Sequence, residues 1–352
     1  MKKGLIATTI LLIVVLIFIF NKYKSPEYKE CLGADLFVVN KLDHSLSKID
    51  LSNKEEIKTL KLGIEPHEVI VSSDEKTLIV SDFGNNAQAS NEIHLVDPEK
   101  FEIIRTISLE GHNKLHGICL SPNPEIILVT SEGSNSLIKL NIVTGKVMSE
   151  TKTNGKESHM VLIHPQKPLA FISNIGSNDI SVINYQNDSL LKNIYCGKGT
   201  EGISISPDGS ELWLSNKFED SISIIDTESL EIIDKLKTDK MPVRLAISPD
   251  GKYCVSSNHS SGNLNVFETK SKKLIKKIEF PGSTNVLDKL INDSPSPAGL
   301  LFHPNKPYLF VINSNADRAT IISMEDWKII GSWKVGDIPD GIALIEKPFS
   351  CD

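Results

Sequence analysis

Pro66-His67-Glu68-Val69-Ile70-Val71-Ser72 returns as Leu115-His116-Gly117-Ile118-Cys119-Leu120-Ser121, as Ser158-His159-Met160-Val161-Leu162-Ile163-His164 and as Thr200-Glu201-Gly202-Ile203-Ser204-Ile205-Ser206. Three further copies begin at Pro242-Val243-Arg244, Pro297-Ala298-Gly299 and Pro339-Asp340-Gly341. Taking His67, His116, His159, Glu201, Val243, Ala298 and Asp340 as equivalent, the steps are about 49, 43, 42, 42, 55 and 42 residues. A period of roughly 40–45 residues with several short strands per unit marks a β-propeller in which each unit is one four-stranded blade. The repeat predicts an all-β fold, a seven-bladed β-propeller.

The unit from Glu201 to Thr238 shows the four runs: Ile203–Ser206, Leu212–Ser215, Ile222–Ile225 and Ile232–Leu236. Ser206-Pro207-Asp208-Gly209 separates the first two, with proline presetting φ and glycine accepting positive φ in a tight reversal. The turn recurs at Ser248-Pro249-Asp250-Gly251, and His164 and His303 stand where its serine would be, a structural position. At the chain ends, Leu36–Asn40, Leu46–Asp50 and Ile57–Leu62 lack a first strand, while Gly341–Ile345 is a first strand with nothing after it. The two partial units complete one blade and close the ring, which removes exposed sheet edges.

Second strands read Phe37-Val38-Val39-Asn40, Phe171-Ile172-Ser173-Asn174, Leu212-Trp213-Leu214-Ser215-Asn216 and Phe310-Val311-Ile312-Asn313, and a third strand ends Ser223-Ile224-Ile225-Asp226. Over residues 34–346 this resembles the YVTN-repeat propellers, a group similar to the lactonase-like propellers and to the haem d1 domain of cytochrome cd1 nitrite reductase. The resemblance implies the fold. It implies no single activity, because the group includes hydrolases, electron-transfer modules and binding proteins.

A formal net charge of -7 over 352 residues, with no concentrated basic stripe, argues against a nucleic-acid partner. Lys2 and Lys3 precede an apolar run from Leu5 to Phe20, ended by Asn21-Lys22-Tyr23-Lys24, with no small-residue cleavage site after it. Residues 1–24 are therefore expected to be an uncleaved signal anchor, residues 25–33 a linker and residues 34–352 the propeller. The propeller is expected outside the cytoplasm, tethered to a membrane through the N-terminal segment, and as a self-closing ring it is expected to be a monomer.

In a propeller, the loops from fourth to first strand and from second to third strand emerge on one face around the channel mouth. That topology gathers His67, His116, His159, Glu201, Arg244 and Asp340 near the axis as candidate ligand-binding residues, with His44, His112 and His259 on neighbouring loops. Three adjacent blades offer an imidazole at one position, and imidazole suits a divalent transition metal. His67, His116 and His159 are the candidate metal ligands, with a bridging water or ligand expected where strand spacing keeps them from one ion. Glu132 reads as a turn residue at the end of a second strand. Two functions stay open: a binding or scaffold propeller taking a small molecule or protein at this mouth, or a metal-assisted lactonase-like hydrolase or haem d1-type cofactor protein using the same face. No nucleophile elbow, phosphate-binding glycine loop or Cys-x-x-Cys-His is present.

The two long repeat steps place insertions at Asn85–Asn91 and Pro281–Ser296, both expected on the histidine-bearing face, with Val286–Ile291 expected as a short helix. Cys31 and Cys351 lie just beyond the chain ends that share a blade, and they are predicted to form a disulfide there in an oxidising compartment. Closing so long a loop contributes on the order of 5 kcal/mol in the chain-entropy model. Non-reducing peptide mapping of the exported protein should recover the Cys31–Cys351 peptide pair. Two free terminal cysteines would refute the bridge.

Overall fold

The computed structural model describes residues 28, 30–52, 57–85, 87–280 and 294–347. They form seven four-stranded antiparallel sheets. Blade 1 runs from the inner strand Pro66–Val71 to the outer strand Glu102–Ser108, and blade 4 from Thr200–Ile205 through Glu211–Asn216 and Ser221–Asp226 to Glu231–Lys237. Blade 7 joins the two chain ends: Pro339–Glu346 is its inner strand, and Ala34–Asn40, Ser45–Asp50 and Ile57–Lys61 follow. Each inner strand contacts the next, and the last contacts the first, so the ring closes as the sequence predicted.

The core is divided among the seams between blades. Leu36 and Val38 pack with Phe310, Ile312 and Trp333 of blade 6, whereas their neighbours Phe37 and Val39 pack with Val69, Leu78 and Val80 of blade 1. Leu212 and Leu214 likewise face blade 3, and the fully buried Trp213 faces blade 5. Strand periodicity of two sends successive side chains to opposite faces, so a strand buried on both sides feeds two seams and reads as an unbroken apolar run.

The last two residues of the second strands have definite tasks. Asn40 Nδ2 donates to Ser45 Oγ and Ser47 Oγ at 3.0 and 2.9 Å, and Asn216 Nδ2 donates to Ser221 Oγ and Ser223 Oγ at 3.2 and 2.9 Å, bracing the hairpin to the third strand. Blade 1 uses Asp82 with His94 at the same place, 2.9 Å apart. Where a hydroxyl precedes it, that group works toward the axis: Ser215 Oγ accepts from Gly202 N at 2.8 Å, and Ser81 Oγ donates to the His116 carbonyl of the next blade at 2.7 Å.

Every inner strand is entered through a residue with positive φ: Glu65, Lys114, Glu157, Gly199, Met241, Ser296 and Ile338. Only one of them is glycine, although this region is costly for other residues. What holds them is a repeated bond. The carbonyls of these seven residues accept from Phe83, Glu132, Ile175, Lys217, His259, Ser314 and Lys41 N respectively, at 2.8–3.2 Å, so each entry is clamped to the end of its own second strand.

Within the stretch expected as linker, Tyr28 and Leu32 are buried, and Tyr28 sits edge-on to Trp333 with ring centroids 5.1 Å apart. Among the described residues no helix is long and apolar enough to cross a membrane. The expected anchor (residues 1–24), Cys351 and the expected helix at Val286–Ile291 lie outside the described residues. Cys119 and Cys254, within strands, and Cys196, which follows one, are free.

Two substitutions test the crowding and the strain. A Cβ on Gly202 would stand 2.6 Å from the Val243 carbonyl oxygen and 2.7 Å from Arg244 Cα, backbone atoms of the next blade. Gly202→Ala should cost about 1–3 kcal/mol, read as a lowered Tm. Glu157 is exposed at φ 56, and Glu157→Gly should leave Tm unchanged or raise it by relieving strain of about 1 kcal/mol.

Candidate functional site at the channel mouth

The six sequence-predicted residues meet. His67, His116, His159, Glu201 and Asp340 occupy the second position of their inner strands, and Arg244 the third position of its own. The three imidazoles stack in series, with ring centroids 4.1 Å apart from His67 to His116 and 3.5 Å from His116 to His159. The spacing is closer than strand separation alone suggested, because the side chains converge on the axis. Each end of the stack is held by carboxylates: His67 Nδ1 lies 3.1 Å from Asp340 Oδ2, and His159 Nδ1 is hydrogen-bonded to Glu132 Oε1 at 2.8 Å, with Nε2 3.6 Å from Glu201 Oε1. His116 is fully buried, and neither ring nitrogen has a hydrogen-bond partner.

Arg244 spans the channel from blade 5 to blade 1, its Nη2 2.5 Å from Glu68 Oε1 and 3.6 Å from Asp340 Oδ1, with Nη1 3.8 Å from Glu201 Oε1. Lys41 Nζ lies 3.2 Å from Asp340 Oδ2, and Lys217 Nζ 2.7 Å from Glu201 Oε2. Four carboxyl groups thus face Arg244, Lys41, Lys217 and His159. Burying charges is costly unless they are paired, and the pairing here is nearly complete.

The titration of the cluster follows from this packing. Burial, with Lys41 nearby, lowers His67 to about 4, and burial between two other imidazoles holds His116 well below its ordinary range. His159 goes the other way: burial would lower it, yet its hydrogen bonds to Glu132 and Glu201 raise it. For Glu201 burial would raise the value, but the hydrogen bond to His159 and the charges of His159, Lys217 and Arg244 bring it down to about 2. Asp340 is held well below the usual carboxylate range against its burial, by Lys41, Arg244 and His67.

A cavity of about 280 Å³ opens here, lined among others by Lys41, His67, Glu201, Lys217, Arg244 and Asp340. It lies just below the roughly 300–1,000 Å³ of drug-sized ligand sites. Phe83 packs against His67 and His116 at 5.3 and 5.8 Å between centroids, and the Ser90 carbonyl accepts from Lys114 N, which puts the first insertion on this face as expected. Residues 281–293 of the second insertion lie outside the described residues.

Four participants escaped the sequence reading. Glu68 lies one position past the repeated residue, where four other blades have glycine. Glu132 sits in the turn as read, and its carboxylate also binds His159. Lys41, Glu132 and Lys217 all directly follow the last residue of a second strand, as do Phe83, His259 and Ser314, so the repeat itself carries a second ring of mouth residues.

A family model described as "Lactonase, 7-bladed beta-propeller" matches residues 189–278. No curated protein matches the chain. Among solved structures, hydrazine synthase of Kuenenia stuttgartiensis superimposes with a TM-score of 0.68 at 18% identity, covering 79% of this chain and 89% of that one. A functionally unknown protein from Desulfotomaculum acetoxidans superimposes with a TM-score of 0.72 at 16% identity, covering 89% and 99%. At these identities the likeness is one of fold. In its repeat motifs, in the family match over residues 189–278 and in its seven blades, the chain is similar to the lactonase-like β-propellers.

Proposed function

We propose that the chain is a binding propeller, tethered to the outer side of a membrane by its N-terminal apolar run, that takes a small polar ligand in the channel mouth. The observation that carries this reading is the cavity of about 280 Å³ whose wall alternates donors and acceptors, the half-buried Lys41 and Lys217 and the buried Arg244 beside the buried Glu201 and Asp340. A wall of paired charges suits a neutral or zwitterionic molecule rich in hydroxyl, carboxyl or amino groups, because each ligand group finds a partner of either kind without upsetting the charge balance. The second reading, lactone hydrolysis, is favoured by the family match, whose span includes Glu201 and Arg244. Glu201 and His159 would then be the proton-transferring pair.

Calorimetric titration with small sugars, hydroxy acids, amino acids and their lactones tests both readings, with lactone turnover followed by acid release. Binding without turnover supports the binding reading, and turnover supports the hydrolase. Lys41→Ala, at the rim of the cavity, should weaken binding about tenfold or more while changing Tm little, since partly exposed ion pairs contribute little to stability. Indifference of the wild-type protein to the whole panel would overturn the reading.

His116 separates function from structure. A buried polar group without a partner costs stability, so His116→Leu should leave Tm unchanged or raised. A large drop in Tm would make the imidazole a structural element.

The acid response has a definite sign. The folded value for Glu201 near 2 lies below the unfolded 4.5, so its stabilisation is present above pH 4.5 and is lost as pH falls through about 2. Between pH 5 and 3 His159 is protonated in folded and unfolded chains alike and adds no slope. Glu201→Gln should therefore flatten the loss of stability over this window, measured by urea denaturation, with a difference of a few kcal/mol.

A further inference from the structure

We propose that His67, Glu68 and His116 form a binding site for one divalent first-row transition ion, of which zinc is the probe. One ligand atom of each residue lies within 4.8 Å of the other two. Closing such a triangle onto an ion with bonds of about 2.0–2.2 Å needs only small side-chain rotations. Two imidazole nitrogens and one carboxylate oxygen form a donor set that zinc, copper, iron and nickel accept, and three protein ligands leave a coordination position open. His67 also lines the cavity, so that open position would face a molecule bound there.

The second observation is His116 itself. It is fully buried and both ring nitrogens lack a hydrogen-bond partner, whereas buried polar groups in folded proteins are almost always satisfied. An unpaired nitrogen lone pair is what a metal ligand supplies. His159, the third imidazole of the stack, is already engaged through Nδ1 by Glu132 and faces Glu201 through Nε2. The ligand set therefore differs from the three-histidine set suggested by the repeat: Glu68 replaces His159. Arg244 engages Oε1 of Glu68, and Glu201 and Asp340 remain beside the guanidinium if Glu68 turns toward an ion.

A second group of similar spacing, Asp82, Glu92 and His94, serves as the contrast. Both nitrogens of His94 are occupied, Nδ1 by Thr106 Oγ1 and Nε2 by Asp82 Oδ2, each at 2.9 Å. Asp82 and His94 stand where other blades carry the asparagine brace, so this group is explained by the hairpin it holds.

The test uses the full-length chain, purified without an affinity tag in mild detergent, stripped with chelator and dialysed against micromolar zinc, with metal counted by mass spectrometry. One equivalent per chain is expected, and cobalt(II) in its place should give visible absorption bands. His116→Ala should lower zinc affinity about 100-fold or more and Glu68→Gln about tenfold or more, while His94→Gln changes nothing. Absence of stoichiometric zinc in the wild-type protein, binding that survives His116→Ala, or binding lost with His94→Gln would each overturn the assignment. If circular dichroism shows His116→Ala unfolded, Glu68→Gln decides: undiminished zinc affinity in that variant overturns the site. Small-ligand titration of the stripped protein reads the cavity separately, so failure of the metal site and failure of the proposed binding function are distinguishable.

Discussion

Seven inner strands crowd around one axis, four of them so closely that a glycine must face the backbone of the next, and the rest of the molecule is arranged by that constraint. Gly117, Gly202, Gly299 and Gly341 mark it, since a Cβ at any of them would lie 2.2–2.6 Å from a carbonyl oxygen of the next blade. The register slips at every entry, a bulge that turns the second or third side chain toward the channel. At Glu68 and Arg244, two of the three entries whose third residue is not glycine, pairing resumes one residue earlier and these two side chains meet across the axis. Crowding thus supplies both the closure of the ring and the convergence of its polar groups.

The cost of that convergence is desolvation, which the cluster offsets by mutual pairing. Removing one partner of a buried ion pair typically destabilises by about 3–5 kcal/mol, so Glu201, Arg244 and Asp340 are bound to one another structurally whatever they bind besides. His116 stands apart from this logic because it contributes to no pair. Its unpartnered ring nitrogens are enclosed by side chains that pair with one another.

The fold was legible because a phrase of seven residues recurs with a turn and a second strand after it, ending in Asn in five of the seven blades. The six mouth residues were legible for the same reason: position in a repeat is position around an axis. Glu68 was not, because its blade departs from the glycine pattern and only the bulge register reveals where it points. Glu132 does sit in the expected turn, and nothing in one sequence shows that its carboxylate also reaches the adjacent blade. The stacking of the imidazoles depends on side-chain rotamers that strand spacing does not determine.

The clamp between each left-handed entry residue and the residue after the second strand is made by backbone atoms alone, so it places no demand on either side chain. The mouth is accordingly a ring of interchangeable parts. Val243, Ala298 and Ile175 occupy the same stations as His67, Glu201 or Lys217 without altering the path of the chain. A lineage of such rings can exchange one chemistry for another at these stations while keeping its backbone path, provided that paired charges are replaced together.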